Sequence, residues 1–572
     1  MKDESAWWKE AVVYQIYPRS FRNADEDGIG DLRGISETVD YLDDLGIDVV
    51  WLCPVYDSPL VDGGYDVRDY RTIHDDYGTM SDWERLRDRL HERDIRLIMD
   101  MVTNHTSDEH EWFRKSRREQ GKYRDFYWWV DGDPDRPPNN WESFFGGPAW
   151  SYDERREAWY LHLFDQKQPD LDWRNPAVRE SLYEMLRWWL EKDCDGFRFD
   201  VINLVSKPAA LPDGDPDSTH LGKEHFINGP RVHEYIRELY DRVLREYDVM
   251  TVGETSDITI EEARRFYEDG LDMVFTFQHL HIDRGDQGPW DFDDWDLDEL
   301  RDATTVWQQG LDEGWNSVFL GNHDQPRVVS RFGDDGRYRV ESAKMLATYL
   351  FTLRGTPFVY QGDEIGMTNP TFRRLDEYRD EATIQRVMLA FQTGDITTFD
   401  KIRDAVDFWS RDNARTPMQW SDGKNAGFTD GEPWIKVNQN YPEVNVEREL
   451  RDDDSVLNYY RRLIALRQST PLMVYGHYVQ LLDDHPEIYA YLRTPDDGSD
   501  YVESEQCGSE EYGSARLLVV LNFFDGTPTF RLPDDVTCDR SERLVGNYGE
   551  RADDSITEIE LRPYEALVYR LV

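Results

Sequence analysis

The chain has 572 residues, of which 117 are acidic and 66 are basic, and its formal net charge is −51. Such a charge argues against nucleic acids and anionic membranes as partners, because both would repel it. The hydrophobic share of 39%, with 20 Trp, 32 Tyr and 25 Phe, excludes a disordered acidic chain and predicts a large core shared by more than one domain.

The basic residues are mostly arginines, since only 12 of the 66 are Lys and none follows Lys436. An acid-rich, Lys-poor surface around an ordinary core is typical of proteins from halophiles. Near 1 M salt the Debye length falls to about 3 Å, so the repulsion between surface charges is screened. At low salt the same charge should destabilise the fold.

Neither the cysteines nor the N-terminus indicate secretion. Cys53 and Cys194 lie in apolar runs and are expected to be core thiols, whereas a bond between Cys507 and Cys538 stays open. Residues 1–10 are polar and charged, unlike a signal peptide, and no stretch reaches the roughly 20 apolar residues of a membrane span. We therefore expect a cytoplasmic protein; its oligomeric state is not predicted.

An early loop, Asn23–Asp31, has the spacing of a cation site. Oxygen-bearing side chains stand at positions one, three, five and nine (Asn23, Asp25, Asp27 and Asp31), a glycine at six, and Ile29 at seven would offer its carbonyl. This is the first part of a calcium loop, but Gly34 replaces the bidentate glutamate at position twelve. A structural Ca²⁺ or Mg²⁺ and a plain solvated turn are the two interpretations.

Apolar runs with strand character then alternate with amphipathic helical patterns. Eight such strands are predicted: Val12–Tyr17, Asp48–Cys53, Arg96–Met101, Gly196–Asp200, Val249–Gly253, Met273–Phe277, Val318–Leu320 and Thr356–Tyr360. Eight strands alternating with helices predict an α/β fold, the (β/α)₈ TIM barrel.

Two long interruptions and a change of pattern complete the domain prediction. Residues 105–172, rich in Trp, Pro, Asn and Gly, are too long for a barrel connection and indicate a subdomain inserted after strand 3. A second insertion covers about residues 365–450, after strand 8. The barrel would thus comprise residues 1–104 and 173–473. Short strands with turn signals predict an all-β sandwich domain over residues 474–572.

Polar residues gather at the predicted ends of the strands, where the active site of a barrel lies. They are Tyr65 and Asp66, Asn104 and His105, Arg198 and Asp200, Glu254, and Asn322, His323 and Asp324. Arg198 and Asp200 are two residues apart on a buried strand, so they share one face. Alone they would be explained equally well as a structural ion pair. Convergence from several strands favours catalysis.

The residue types at these ends suit sugar chemistry. No cysteine nucleophile, no Ser-His pair at a sharp turn and no His-Glu-x-x-His zinc spacing is present there. Paired carboxylates among many aromatic residues are what a glycosidase uses, one to attack or stabilise an oxocarbenium-like centre and one to transfer a proton. Arg198 beside Asp200 is expected to keep that carboxylate ionised.

Several motifs resemble the α-amylase superfamily of glycoside hydrolases, near its oligo-1,6-glucosidase and maltase branch. They are Asp100-Met-Val-Thr-Asn104-His105, Gln168-Pro-Asp170-Leu-Asp-Trp, Gly196-Phe-Arg198-Phe-Asp200, Val252-Gly-Glu254-Thr, Phe319-Leu-Gly-Asn322-His323-Asp324 and Arg415-Thr-Pro-Met-Gln-Trp420. The resemblance covers at least residues 7–470 and weakens in the C-terminal domain.

The resemblance implies a role for each matching residue. Asp200 is similar to the nucleophile, Glu254 to the general acid/base and Asp324 to the third carboxylate, which holds sugar hydroxyls. The expected substrate-binding residues are Tyr65 stacked on the glucose, His105 and His323 on its hydroxyls, Arg198 orienting the nucleophile, and Asp66 with Arg415 clamping the non-reducing end. The Asn23–Asp31 loop resembles the metal loop of the family, so a structural Ca²⁺ or Mg²⁺ is expected, with no cofactor for catalysis.

The expected activity is retaining, exo-acting removal of one glucose from a short oligosaccharide or disaccharide. Val201 resembles the valine of members that cleave α-1,6 bonds, with α-1,4 bonds and sucrose left open. A transglucosidase or a sucrose isomerase is the alternative on the same fold. A phosphodisaccharide hydrolase would need basic residues at the leaving-group site. The remote alternative is a scaffold like the amino-acid transporter heavy chains, which carry a membrane span.

Overall fold

A computed structural model describes residues 6–285, 291–292, 294–311, 314–495, 515–549, 551 and 555–572. Its centre is an eight-stranded parallel sheet. In chain order the strands are β1 (Val13–Ile16), β2 (Val49–Leu52), β3 (Arg96–Val102), β4 (Gly196–Asp200), β5 (Met250–Glu254), β6 (Met273–Phe275), β7 (Ser317–Val318) and β8 (Thr356–Tyr360).

The sheet closes into the predicted barrel. The strand order is β6-β5-β4-β3-β2-β1-β8-β7, and every neighbouring pair is parallel. The Ser317 hydroxyl of β7 donates to the Val274 carbonyl of β6 at 2.8 Å, which joins the two ends. Both faces of each strand are covered, and the strand sequences are therefore continuous apolar runs.

Helices follow each strand and surround the barrel. They are Leu32–Glu37 with Val39–Leu45, Met80–His91, Pro176–Leu190, Val232–Arg242, Ile260–Glu268, Leu297–Gly310, Val328–Phe332 with Arg339–Thr352, and Val456–Ser469. The first two of these helices are separated at Thr38, where the Thr38 hydroxyl donates to the Ile35 carbonyl and competes with the helical bonds.

The two insertions fold over the carboxyl ends of the strands. The first carries the helix Glu111–Ser116 and a three-stranded antiparallel sheet of Trp129–Asp131, Ala158–Leu161 and Trp150–Asp153. The second carries the helices Glu381–Thr393, Arg403–Trp409, Asp412–Arg415 and Val446–Glu449. They meet where Arg386 donates to the Phe144 carbonyl at 2.7 Å and Gln385 donates to Asp165.

The C-terminal domain is all β. Its main antiparallel sheet runs in the order His477–Leu481, Ile488–Thr494, Arg516–Asn522, Ala566–Leu571 and Ser541–Gly546, and a second pair joins Thr529–Arg531 to Glu558–Glu560. Cys53 and Cys194 are buried thiols, and Cys538 has no disulfide partner among the residues that the structure describes. Cys507 lies outside those residues, so its bond to Cys538 stays a prediction. In the described part of the chain no helix is long and apolar enough to cross a membrane.

Buried arginines join this domain to the barrel. Arg493, on the second strand of the C-terminal sheet, donates to the carbonyls of Thr352, Met473, Val474 and Gly476. Arg301, on the barrel helix Leu297–Gly310, donates to the carbonyls of Asp483, His485 and Ile488. Within the barrel, Arg467 donates to the carbonyls of Phe351, Gly355 and Met473. Each guanidinium therefore connects several backbone segments at once.

Candidate active site

Strand β4 brings an arginine and an aspartate to the mouth of the barrel. It starts at Gly196, where φ is +152° and a Cβ would lie 2.0 Å from the Met250 carbonyl oxygen of β5, so only glycine fits. The strand is buried along its whole length. Arg198 and Asp200 project from the same face, as predicted.

Arg198 binds three carboxylates rather than one. Its Nη1 donates to Asp100 Oδ1 and to Asp200 Oδ1, each at 2.8 Å, and its Nη2 donates to Glu254 Oε2 at 2.6 Å. Only 2% of the arginine side chain is exposed. Asp100 was not predicted as a site residue, although it begins one of the motifs above and pairs with Arg198 in the β3–β4 register.

One guanidinium among three buried carboxylates sets the charge balance of the site. Burial raises the pKa of Asp200 well above its ordinary value; Arg198 opposes this shift, and the charges of Glu254 and Asp100 add to it. Burial likewise raises the pKa of Asp100 to about 6, against the effect of Arg198. Arg198 does lower the pKa of Asp200, as expected, but burial, together with the charges of Glu254 and Asp100, outweighs its effect.

Val201, directly after Asp200, has a left-handed backbone with φ 36° and ψ 43°. Its N–H donates to Glu254 Oε2 at 3.1 Å, so that oxygen accepts two hydrogen bonds. The half-buried Val201 side chain lines the pocket and packs against the aromatic cluster of the first insertion.

His323 and Tyr65 lie against each other at the centre of the mouth, with ring centroids 5.3 Å apart and planes 9° from parallel. The Gln15 side-chain amide donates to His323 Nδ1 at 2.8 Å, so the proton is on Nε2, which donates to the Tyr65 hydroxyl at 2.7 Å. That hydroxyl donates to Asp100 Oδ2 at 2.9 Å. Burial lowers the pKa of His323 to about 3, so the ring is neutral.

His105 reaches the pocket from the end of β3. Its Nε2 lies 3.2 Å from Gln168 Nε2, and that amide donates to Asp62 Oδ2 at 3.1 Å. Burial lowers the pKa of His105 to about 4. His105 therefore carries no charge near neutral pH. Contact of either histidine, or of Tyr65, with a sugar stays a prediction.

Asp324 faces two arginines from the second insertion. Arg415 Nη2 lies 2.6 Å and Arg411 Nη1 3.6 Å from Asp324 Oδ1. Burial alone would raise the pKa of Asp324, but His323, Arg411 and Arg415 outweigh burial and lower it. Since His323 is neutral, the two arginines are the lasting cause, and Asp324 is ionised.

The predicted pairing of Asp66 with Arg415 is wrong. Asp66 is fully buried and accepts from the Ser58 hydroxyl and from the N–H groups of Val61 and Asp62, so it shapes its own loop. The pair that the structure forms is Asp62 with Arg411, whose Oδ1 and Nη2 are 2.8 Å apart. Sequence reasoning missed both, although each lies within four residues of a predicted one.

Asp380 holds the two arginines in place. Its Oδ1 accepts from Arg411 Nε at 2.7 Å, lies 2.6 Å from Arg411 Nη2 and is 3.8 Å from Arg415 Nη1. Burial would raise the pKa of Asp380, but Arg411 and Arg415 lower it to about 2.

These groups enclose a single pocket whose walls come from the barrel and from both insertions. Its lining is Asp62, Tyr65, His105, Phe145, Phe164, Asp200, Val201, Glu254, Asp324 and Arg411. Phe145 and Phe164 belong to the first insertion and Arg411 to the second. The Asp62–Arg411 ion pair and the two rings therefore line the same pocket as Asp200 and Glu254.

A buried lysine lies behind His105. Lys207 Nζ donates to Asn104 Oδ1 at 2.8 Å and to Asp170 Oδ2 at 2.5 Å, and neither the Lys207 nor the Asp170 side chain is exposed. Lys207 follows β4, whereas Asp170 ends the first insertion. The ammonium therefore fastens the insertion to the barrel beside the pocket. Nothing in the local sequence around Lys207 indicates this pairing.

The Asn23–Asp31 loop places four oxygens around one point. Asn23 Nδ2 lies 2.6–3.3 Å from oxygens of Asp25, Asp27, Ile29 and Asp31. Three carboxylates and a carbonyl are ligands that hard cations take, so the donors fit the predicted metal by their chemistry. In this structure the side-chain amide nitrogen of Asn23 lies at the point where the four oxygens converge. Among the described residues, no group of three or more His, Cys, Asp or Glu side chains is placed to hold a metal ion.

Comparison with known proteins places this site in context. The alpha-amylase catalytic-domain family model matches residues 15–476. The oligo-1,6-glucosidase of Parageobacillus thermoglucosidasius is 50% identical over 576 residues, covering 99% of each chain. The trehalose-6-phosphate hydrolase of Bacillus subtilis is 45% identical, covering 100% of this chain and 99% of the relative. The crystal structure of isomaltulose synthase from Klebsiella sp. LX3 superposes with a TM-score of 0.93 at 43% identity over the whole of both chains.

Proposed function

The chain belongs to the alpha-amylase family of glycoside hydrolases, and from that premise we propose that it releases glucose from the non-reducing end of short α-1,6-glucosides with retention of configuration. The observation that carries the proposal is the pocket in which Asp200 and Glu254 share one guanidinium. We take the Asp62–Arg411 pair, which lines the same pocket, as its closed end.

In the first step Asp200 attacks the anomeric carbon and forms a glycosyl ester. The bond to the leaving-group oxygen breaks, and Glu254 gives that oxygen its proton. In the second step Glu254 takes a proton from water, whose oxygen displaces Asp200 from the anomeric carbon. A retaining enzyme requires its two carboxyl groups to lie about 5–5.5 Å apart. Asp200 and Glu254 bind the same guanidinium, so they are near neighbours, in keeping with that requirement.

Asp324 would hold the sugar hydroxyls. It is ionised, faces the pocket and is fixed by Arg415 and Arg411. The Asp62–Arg411 pair would bind the hydroxyls at the non-reducing end, since charged groups make strong hydrogen bonds to neutral hydroxyls. A pocket closed at that end accepts one glucose unit, which supports exo action.

Linkage and leaving group are the finer parts of the proposal. Val201 lines the pocket beside both catalytic carboxylates, and the oligo-1,6-glucosidases are among the most similar relatives. A second cavity, between the loops that follow β4 and β5, is lined by five acidic residues and one lysine: Asp215, Asp217, Glu224, Asp257, Glu262 and Lys223. We take this cavity as the leaving-group side of the site; a phosphorylated leaving group there would be repelled, so we favour neutral sugars over a phosphodisaccharide.

The second candidate is a sucrose isomerase or transglucosidase. It is favoured by the similarity to the crystal structure of isomaltulose synthase from Klebsiella sp. LX3. Product analysis decides: an isomerised disaccharide from sucrose, instead of glucose and fructose, would replace the hydrolase proposal. A panel of maltose, isomaltose, sucrose, trehalose, trehalose 6-phosphate and panose then fixes linkage, and we expect the highest kcat/KM on isomaltose or panose.

The nucleophile is tested by Asp200→Asn with p-nitrophenyl α-glucoside in high salt. We expect residual activity of no more than a trace; substantial activity would show that another group attacks. Thermal unfolding of the variant is the control for folding.

We also propose a structural Ca²⁺ or Mg²⁺ in the Asn23–Asp31 loop, held by the oxygens of Asp25, Asp27, Ile29 and Asp31. The support is the convergence of those oxygens and the match to the spacing of a calcium loop. The ion would stabilise the loop without taking part in the reaction. Cytoplasmic location and halophilic origin stay predictions.

A further inference from the structure

The backbone of Val201 is unusual for its residue type. Fourteen non-glycine residues in the described chain have a positive φ, and Val201 is the one β-branched residue among them. Its φ of 36° is also the smallest of that set. Branching at Cβ makes the left-handed region costly, so such a residue persists only where the surrounding structure enforces it. The position immediately after the proposed nucleophile therefore carries strain.

Contacts on both sides of the peptide maintain this conformation. The Val201 carbonyl accepts from the Leu204 N–H at 2.9 Å, which starts the short turn Ile202–Leu204. The Val201 side chain packs on the cluster that contains Leu204 and Phe226. The left-handed turn ends β4 at Asp200 and leaves the Val201 N–H on the carboxylate of the neighbouring strand β5, 3.1 Å from Glu254 Oε2.

The two oxygens of Glu254 are thereby made unequal. Oε2 accepts from the Val201 N–H and from Arg198 Nη2, and neither donor can become an acceptor, because one is a backbone amide and the other a guanidinium that stays protonated. A proton on Oε2 would be placed against two N–H donors, which is unfavourable. A proton on Oε1 is not placed against these donors.

We infer that the strained Val201 peptide is a positioning group for the acid/base: together with Arg198 it fixes Oε2 of Glu254, so that Oε1 carries the proton that is transferred. This inference rests on the proposed glycosidase function. In the first step the Oε1–H bond breaks as the leaving-group O–H bond forms, and Glu254 becomes a carboxylate. In the second step a water O–H bond breaks and Oε1–H forms again. Val201 touches no reacting atom.

The test replaces the Val201 amide by an ester, using the α-hydroxy acid analogue of valine introduced by nonsense suppression. The side chain is kept and only the N–H is lost. Isomaltose, or whichever unactivated disaccharide the wild type hydrolyses, needs a proton on its leaving group; 2,4-dinitrophenyl α-glucoside does not. We expect kcat/KM on the disaccharide to fall about 10–100-fold and on the dinitrophenyl substrate by less than about 3-fold.

The matched control is the same replacement at Thr251 on β5, whose N–H donates at 2.8 Å to the buried Asp272, away from the pocket. It should lower the melting temperature and leave the ratio of the two kcat/KM values unchanged. Equal losses on both substrates at position 201, or no loss on either, would overturn the inference.

A second variant does not depend on ester incorporation. Val201→Gly adopts the left-handed backbone without strain and keeps the N–H. Because the Val201 side chain is also proposed to select the linkage, this variant is compared on p-nitrophenyl and 2,4-dinitrophenyl α-glucosides, and the ratio of their kcat/KM values should stay within about 3-fold of the wild type. A change of the ratio like that of Glu254→Gln would assign the effect to the side chain and overturn the inference. If the wild type hydrolysed no α-glucoside at all, the proposed function itself would fail, which is a separate outcome.

Discussion

Arg411 Nη2 lies 2.8 Å from Asp62 Oδ1, and the two residues are 349 positions apart in the chain. Asp62 belongs to the loop after β2 and Arg411 to the insertion after β8. The same arginine binds Asp380, so the closed end of the pocket is held by an ion network rather than by one contact.

The first prediction concerns this closed end. Asp62→Asn should lower kcat/KM on short α-glucosides by at least about 30-fold, because removing one partner leaves Arg411 without its pocket-side carboxylate, a loss worth about 2–5 kcal/mol. Steady-state kinetics on the preferred disaccharide measures it. Asp66→Asn is the matched control. Because Asp66 accepts hydrogen bonds from its own loop, this variant should reduce the free energy of unfolding more strongly than it reduces kcat/KM of the folded molecules. The reverse pattern would support the Asp66–Arg415 pair instead.

The second prediction concerns pH. Asp200 must be ionised to attack, and its pKa is raised, so kcat/KM should fall as the pH drops through that raised value. Asp100→Asn removes one of the negative charges that raise it, so the acid limb should move to lower pH by roughly half to one unit, whatever the loss in rate. The pH profile of kcat/KM is the measurement. An unmoved limb, or one shifted upward, would contradict the charge balance described around Arg198.

The two pocket histidines should be silent in the same profile. Burial lowers the pKa of His105 to about 4 and that of His323 to about 3, so both are neutral wherever the enzyme is active. Neither ring should therefore contribute a limb to the profile, and any limb near the ordinary histidine value of about 6.5 should persist in His105→Gln and His323→Gln. A histidine-like limb that disappears in His105→Gln or His323→Gln would show that these rings are charged.

The third prediction concerns the buried Lys207. Lys207→Met leaves Asp170 as an uncompensated buried carboxylate and should cost about 3–5 kcal/mol of the free energy of unfolding. The double variant Lys207→Met with Asp170→Asn should recover part of that loss. Denaturant midpoints in high salt measure both. Lys115→Met, which breaks the surface pair with Glu111, is the control and should leave the denaturant midpoint nearly unchanged.

The architecture follows from the sequence to a large degree. The eight apolar runs of the sequence predict all eight strands, because strands covered on both faces need continuous apolar residues. The ends of β4 and β5 then locate Arg198, Asp200 and Glu254 without any knowledge of the loops.

What the sequence does not reveal is the pairing of charges across the insertions. Local pattern places Asp66 and Tyr65 at one end of a strand, but whether Asp62 or Asp66 turns inward depends on hydrogen bonds within the loop. For a similar reason the sequence alone does not show that Arg198 binds three carboxylates, because these contacts depend on the register of three neighbouring strands. The sign of the Asp200 pKa shift depends on that register.

The fourth prediction concerns salt. With a net charge of −51, the fold should unfold below about 0.5 M KCl and become more stable up to molar concentrations, where the Debye length is about 3 Å. Melting curves over a KCl series measure this, with glycerol at equal osmolality as the control for general exclusion effects. Full stability in dilute buffer would contradict it.

The fifth prediction concerns the proposed cation. Millimolar Ca²⁺ or Mg²⁺ should raise the melting temperature of protein treated with a chelator, since a ligand bound only by the folded state stabilises it. Asp27→Asn should abolish the rise, while kcat on the preferred substrate at saturating cation stays close to the wild type. An equal rise in the variant would place the ion elsewhere.

The arginines that join the C-terminal sheet to the barrel make the two domains thermodynamically inseparable. If residues 474–572 were removed, the Thr352 and Met473 carbonyls of the barrel would lose Arg493 as their donor, and the barrel helix that carries Arg301 would lose the carbonyls it binds. Buried polar groups without partners are expensive, so neither half should fold alone. Heating should produce one calorimetric transition for the whole molecule, and the β domain should behave as an obligatory part of the catalytic unit rather than as an exchangeable module.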